Sequence, residues 1–173
     1  MAQVVFLRAV NVGGHKTFRP SLLVKQLKAC DVVNVGAAGT FVIRNRISQA
    51  NLKAELLRRL PFEPEIMICS DREMMDAVSR APFDKQSSDP RIVRFVGVMS
   101  RRARSLPPLP LNLPAGEWLV KLIAVHDRFV FGMYRRQMGA IGQLGRVEKL
   151  LGVAITIRNW NTISAIVRAL EGA

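Results

Sequence analysis

QVVFLRAVNVGGHKTFRPSLLVKQLK, residues 3–28, is the stretch from which the fold is read. Val4, Val5, Phe6 and Leu7 form a short β-branched and aromatic run of the kind that makes a buried strand. Asn11–Thr17 is a glycine-rich loop. Pro20 then suits the first turn of a helix, where its missing N–H costs nothing, and Leu22, Leu23 and Leu27 give that helix an apolar side. Outward from there, Asp31–Val35 reads as a second strand, Gly36–Gly39 as a turn and Thr40–Arg44 as a third strand. Ser48 can cap a helix whose Leu52, Leu56, Leu57 and Leu60 share one face, and Pro61 and Pro64 end it. Glu65–Ser70 is a fourth strand. The order is βαββαβ. Ser70 and Glu73 are spaced as a capping box, opening a further short helix that carries Met74, Met75 and Val78.

The second half repeats the order without alignable identity. Arg91–Met99 is a strand. Ser100–Ala115 is a proline-rich connector in which the equivalent helix is short or absent. Glu117–Val125 and Arg128–Tyr134 form a hairpin joined at His126-Asp127. Leu144–Leu151 marks a helix stopped by Gly152, Val153–Ile157 a strand and Ile163–Leu170 a closing helix. The expected fold is therefore α+β, with two ferredoxin-like (βαββαβ) subdomains in tandem. Residues 1–80 form the first with its connecting helix, 81–90 a linker and 91–173 the second.

The chain has 173 residues, 49% apolar and 23% charged, enough to bury a core without disulfide or metal. Cys30 and Cys69 lack the spacing of a zinc or redox motif and read as free thiols of a reducing cytoplasm. Arg8 interrupts the first apolar run before it could serve as a signal peptide, and Trp118–Val125, the longest apolar candidate, is only strand-length, so no membrane association is expected.

Three groups of residues could carry chemistry. The first runs from Arg8 through Asn11, Gly13, Gly14, His15 and Lys16, a strand entering a Gly-Gly turn whose backbone N–H groups could face an anion. It lacks the spacing of a Walker loop or a dinucleotide fingerprint. The second is Arg158-Asn159-Trp160-Asn161-Thr162, at a strand-to-helix junction. An asparagine there would cap the helix, and the indole either stacks on a ligand or packs on the core. The third is a scatter of paired basic residues, with Arg101, Arg102, Arg104, Arg135 and Arg136 as the candidates for nucleic acid. The net charge of +13 meets the first criterion for such binding. Aromatic residues are only 6%, however, and Phe6 and Phe41, at the strand positions where stacking rings would sit, read more simply as core. No nucleophile elbow, metal-binding cluster or paired carboxylates identify a reaction, and no cofactor or metal is expected.

FLRAVNVGGHKTFRPSLLVKQLK and VEKLLGVAITIRNWNTISAI resemble the opening and closing segments of the bacterial domain-of-unknown-function family 1697, with its R-[GA]-[IV]-N-V-G-G turn and R-N-W-N-T ending. The resemblance implies two ferredoxin-like subdomains and no assigned activity. The chain departs from the family at Val35–Thr40, where many members have Tyr-x-Gln-Ser-Gly-Asn. The sequence leaves three functions open: an interaction or assembly protein able to form a homo-oligomer, a module binding nucleic acid or another polyanion, and an enzyme or sensor holding a small phosphorylated or carboxylated ligand at the NVGGHK and RNWNT turns.

Overall fold

A computed structural model describes residues 1–8, 19–83 and 89–172. The chain is α+β, with two antiparallel sheets and five α-helices among the described residues. It divides into two compact units, Met1–Asp76 with Ser164–Ala173, and Ala77–Ile163. The sequence places the change of subdomain at a linker over 81–90 and gives the whole C-terminal helix to the second subdomain. The compact units instead exchange at Asp76–Ala77, and the end of the closing helix is grouped with the first.

The first unit is built from β1 (Gln3–Arg8), α1 (Pro20–Gln26), β2 (Val32–Val35), β3 (Thr40–Ile43), α2 (Gln49–Arg59), β4 (Glu65–Ser70) and the start of α3 (Asp71–Ser79). Its strands lie in the order β2-β3-β1-β4. β1 pairs antiparallel with both β3 and β4, Val5 standing opposite Phe41 on one side and Ile68 on the other. One face carries Val5, Leu7, Phe41, Ile43 and Ile68 into a core closed by Leu23 and Leu27 from the first helical segment and Leu52, Leu56 and Leu60 from the second. The other face, with Val4, Phe6, Val42, Met67 and Cys69, is buried as well. A strand buried on both faces needs a continuous apolar run, which explains why β1 does not alternate.

The local rules behave as expected at the helix ends. Ser48 Oγ accepts from Asn51 N at 3.1 Å. Leu60 turns extended ahead of Pro61. The Ser70–Glu73 box closes reciprocally, Ser70 N donating to Glu73 Oε2 at 2.8 Å and Glu73 N to Ser70 Oγ at 3.1 Å. Two expected core positions are corrected: Leu22 and Leu57 are 49% and 38% exposed. Leu57 follows Leu56 by one residue and is rotated about 100° off the stripe set by Leu52, Leu56 and Leu60.

The second unit contains β5 (Ile92–Met99), β6 (Leu111–Leu113), β7 (Val120–His126), β8 (Phe129–Arg135), α4 (Ala140–Leu151), β9 (Ile155–Asn159) and the first turn of α5 (Trp160–Glu171). The strand order is β6-β7-β8-β5-β9. In the proline-rich connector the regular element is β6, pairing antiparallel with β7, rather than a shortened helix. The hairpin turn is also shifted: His126 is still paired with Phe129, so the turn residues are Asp127 and Arg128, with Asp127 at φ 55°. Phe95, Met99, Val120, Leu122 and Val130 form a core with Val147 and Leu151 of α4. The opposite face holds Val96, Val98, Phe129 and Phe131, all buried, at one end. Arg94, Met133 and Arg135, partly exposed, lie at the other. No helix among the described residues is long and apolar enough to cross a membrane.

Candidate anion-binding cleft

At the partly exposed end of that sheet face, a cleft of about 520 Å³ opens within the second unit. Its lining includes Arg94 from β5, Met133 and Arg136 from β8 and the chain just beyond it, Asn159 at the end of β9, and Trp160 and Asn161 at the start of α5. Strand register creates the site. Arg94 and Met133 are cross-strand partners, and Asn159 stands opposite Phe95, one residue further along β5. β9 passes into α5 without a loop, and Asn159 Oδ1 accepts from Thr162 N at 2.8 Å as the helix cap.

Aromatic packing holds the indole. Trp160 meets Phe83 edge-on at 4.9 Å between ring centroids, Phe83 meets Phe131 at 6.1 Å, and the Arg94 guanidinium lies 5.7 Å from the Phe83 ring. Arg136 Nε donates to Pro90 O at 3.1 Å. Asp89 also lines the cleft. Its carboxylate is chelated by Arg91 through Nε–Oδ1 at 3.1 Å and Nη2–Oδ2 at 3.0 Å. Those bonds hold its pKa below the usual carboxylate value, and the Arg135 charge adds to the effect. The chemistry offered is cationic donors, side-chain amides, one flat ring and one carboxylate, Asp89, whose oxygens are already bonded to Arg91. Among the described residues, no group of His, Cys, Asp and Glu is placed to hold a metal ion.

The sequence-derived candidates separate. Asn159, Trp160, Asn161 and Arg136 line the cleft, and Thr162 supplies the capped backbone N–H. Asn11, Gly13, Gly14, His15 and Lys16 lie outside the described residues. Arg8 forms a cross-strand ion pair with Glu65, 3.1 Å to each carboxylate oxygen. The five arginines considered for nucleic acid do not gather. Arg101, Arg102 and Arg104 follow the far end of β5, where Arg102 pairs with Asp127 of the hairpin turn. Arg135 and Arg136 stand at the opposite end, beside Ile92, roughly 20 Å away along an eight-residue strand. Phe6 and Phe41 are fully buried and offer no ring to a base. Reading the sequence missed Phe83, Arg94 and Met133. The alternation of IVRFVGVM sets Arg94 on the face opposite Phe95, but its neighbours come from register.

Arg158 is only 7% exposed. Its Nη1 donates to Thr156 Oγ1 at 2.7 Å and to Ile157 O at 3.0 Å. Burial pulls its pKa down to about 10, below the usual arginine value, so it stays charged at neutral pH. The folded state holds this proton less tightly than the unfolded chain. The charge therefore costs stability at every pH below about 10, on the order of 3 kcal/mol. Arg158→Met keeps the stem and removes the charge, and is expected to leave the thermal midpoint within a few degrees of the parent. Arg158→Ala also leaves a void and should cost about 2 kcal/mol or more. Equal, large losses in both variants by calorimetry would show that the charge itself holds the fold.

The architecture is shared with a solved structure, the conserved bacterial protein SP0830 from Streptococcus pneumoniae, at a TM-score of 0.60 and 17% identity over 96% of this chain and 97% of that one. No curated protein matches the chain. A family model, described as a protein of unknown function, matches residues 1–105, which include the Arg8–Lys16 stretch and β5 with Arg94. On that match, the chain belongs to the DUF1697 family.

Proposed function

We propose that the second unit is a recognition module whose cleft binds a phosphate- or carboxylate-bearing ligand. The observation that carries this is the convergence of Arg94 and Arg136 with Asn159, Trp160 and Asn161 around one opening. Guanidinium groups give charge-assisted, often bidentate bonds to such anions, and the asparagine amides add orienting donors. The division of the five candidate arginines between two ends of the sheet favours this reading over a polyanion spread across all of them. The same reading takes each unit as ferredoxin-like. In support, both sheets place the second, third, first and fourth main strands side by side, with β6 added at the edge of the larger. It places the protein in the cytoplasm, in keeping with the free cysteines Cys30 and Cys69.

The test is titration calorimetry at low salt with pyrophosphate, a nucleoside monophosphate and a dicarboxylate. At least one should bind, and Arg94→Gln with Arg136→Gln should weaken it by about tenfold to a hundredfold, the worth of one to two charge-assisted bonds. Unchanged affinity in a double variant that melts like the parent would refute the assignment.

A further inference from the structure

A second aromatic-basic cluster lies on the same sheet face, one strand away from the cleft wall. Trp118 carries two cations over its ring, the Arg135 guanidinium at 4.1 Å and the Lys121 ammonium at 5.2 Å from the centroid. Arg135 Nε also donates to Trp118 O at 2.8 Å, which locks the pair. Lys121 on β7 stands directly opposite Met133 on β8, and Met133 directly opposite Arg94 on β5. Cross-strand partners point to the same face, so Lys121, Met133 and Arg94 form a row. Asn112 on β6 prolongs it on one side, and β9 with Trp160 closes it on the other. From β7 to β9 is three strand spacings, about 14 Å. Trp118, Lys121, Met133, Arg135 and Trp160 are all partly exposed. Trp118 therefore flanks the row beside Lys121 and Arg135, and Trp160 closes it on the β9 side, with cations between the two tryptophans of the chain.

We infer that this row, from the Trp118–Arg135 pair to the Trp160 cleft, is a track for single-stranded nucleic acid. The inference rests on the anion-binding reading of the cleft and makes that anion a backbone phosphate. Bases stack on indole faces and on guanidinium planes alike, without sequence preference. Lysine and arginine beside them meet the phosphates that connect successive bases. An acidic peptide would satisfy the cations but has no use for flat platforms at both ends. The net charge of +13 draws a polyanion to the surface. A duplex keeps its bases stacked inside and cannot use the rings. The set differs from the one suggested by arginine pairs in the sequence: Arg135 and Arg136 remain, Lys121 and Arg94 join them, and Arg101, Arg102 and Arg104 fall away.

Two single-tryptophan chains test it. In Trp160→Phe the fluorescence reports Trp118 alone, and in Trp118→Phe it reports Trp160 alone. A single-stranded RNA or DNA decamer at about 50 mM salt should quench both. Trp118→Leu should weaken decamer binding by about tenfold or more, and Lys121→Gln, which leaves the rings in place, should weaken it and lower the salt slope by about one. If Trp160 responds to pyrophosphate or the decamer while Trp118 stays silent and Trp118→Leu binds as well as the parent, the track is refuted and the cleft stands. If a polyglutamate peptide or a duplex competes as well as the decamer, single-stranded nucleic acid is the wrong occupant. If neither reporter responds to any anion, cleft and track fail together.

Discussion

Gly132→Ala is expected to destabilise the protein by about 3 kcal/mol, at the upper end of what overpacking a core costs. Gly132 lies on β8 directly opposite Phe95 on β5. A methyl group there would sit 2.5 Å from Phe95 Cζ, 2.8 Å from Phe95 Cε1 and 2.7 Å from the Lys121 carbonyl oxygen. The Phe95 ring is fully buried, with Tyr134 6.1 Å away, and has nowhere to retreat. The carbonyl belongs to the neighbouring strand, so relief there means spreading β7 from β8. Gly97→Ala is the informative comparison. Its methyl would meet Val130 Cγ1 at 2.5 Å and Ile155 Cγ2 at 2.9 Å, with the nearest backbone atom at 3.8 Å. Side chains alone must shift, and about half the loss is expected. For a chain of this length, the Gly132 change corresponds to a drop of roughly 6–12 °C in midpoint. Phe95→Leu in the Gly132→Ala background should restore part of it, since the two changes share one volume. A Gly132→Ala protein that melts within about 2 °C of the parent would show that the strands part more easily than this geometry allows.

Gly132 also shows where a sequence stops being informative. A glycine inside FVFGMYR signals a close approach, but the ring that approaches is 37 residues away and is chosen by register. Elements set by local chemistry were legible: β1 from its apolar run, α2 from the Leu52–Leu56–Leu60 stripe, α3 from its capping box. The connector was not, because prolines argue against a helix without specifying that Leu111–Leu113 will add an edge strand to β7. The site followed the same division. An asparagine cap, with Asn159 and Asn161 both eligible, and Trp160 beside it could be read from a strand-to-helix junction, and Asn159 is the one that caps. Arg94, Met133 and Lys121 could not, since antiparallel pairing alone brings them into one row. Paired arginines show the complementary limit. Neighbours in sequence such as Arg101-Arg102 and Arg135-Arg136 are carried to opposite ends of the β5–β8 pair.

Phe41→Ala carries the other large expected effect, a loss of about 3–5 kcal/mol, and it separates two meanings of an aromatic ring on a sheet. Phe41 sits on β3 between Val5 and Asn34, fully buried among Val5, Leu7, Ile43, Leu52 and Leu56. Truncation removes the contacts of a whole ring and leaves a void that two strands and two helical segments must share. Its position on the third strand is where a sheet that binds RNA would carry a stacking ring, yet its ring never reaches solvent. The expected result is a steep fall in midpoint by calorimetry, with the fraction that remains folded binding single-stranded oligonucleotide as the parent does. Trp118→Leu should show the reverse pattern, because the indole is partly exposed and carries two cations over its ring: a smaller change in midpoint and a loss of oligonucleotide affinity of about tenfold or more. A Phe41→Ala protein that keeps its midpoint but no longer binds would move the binding surface from the second sheet to the first.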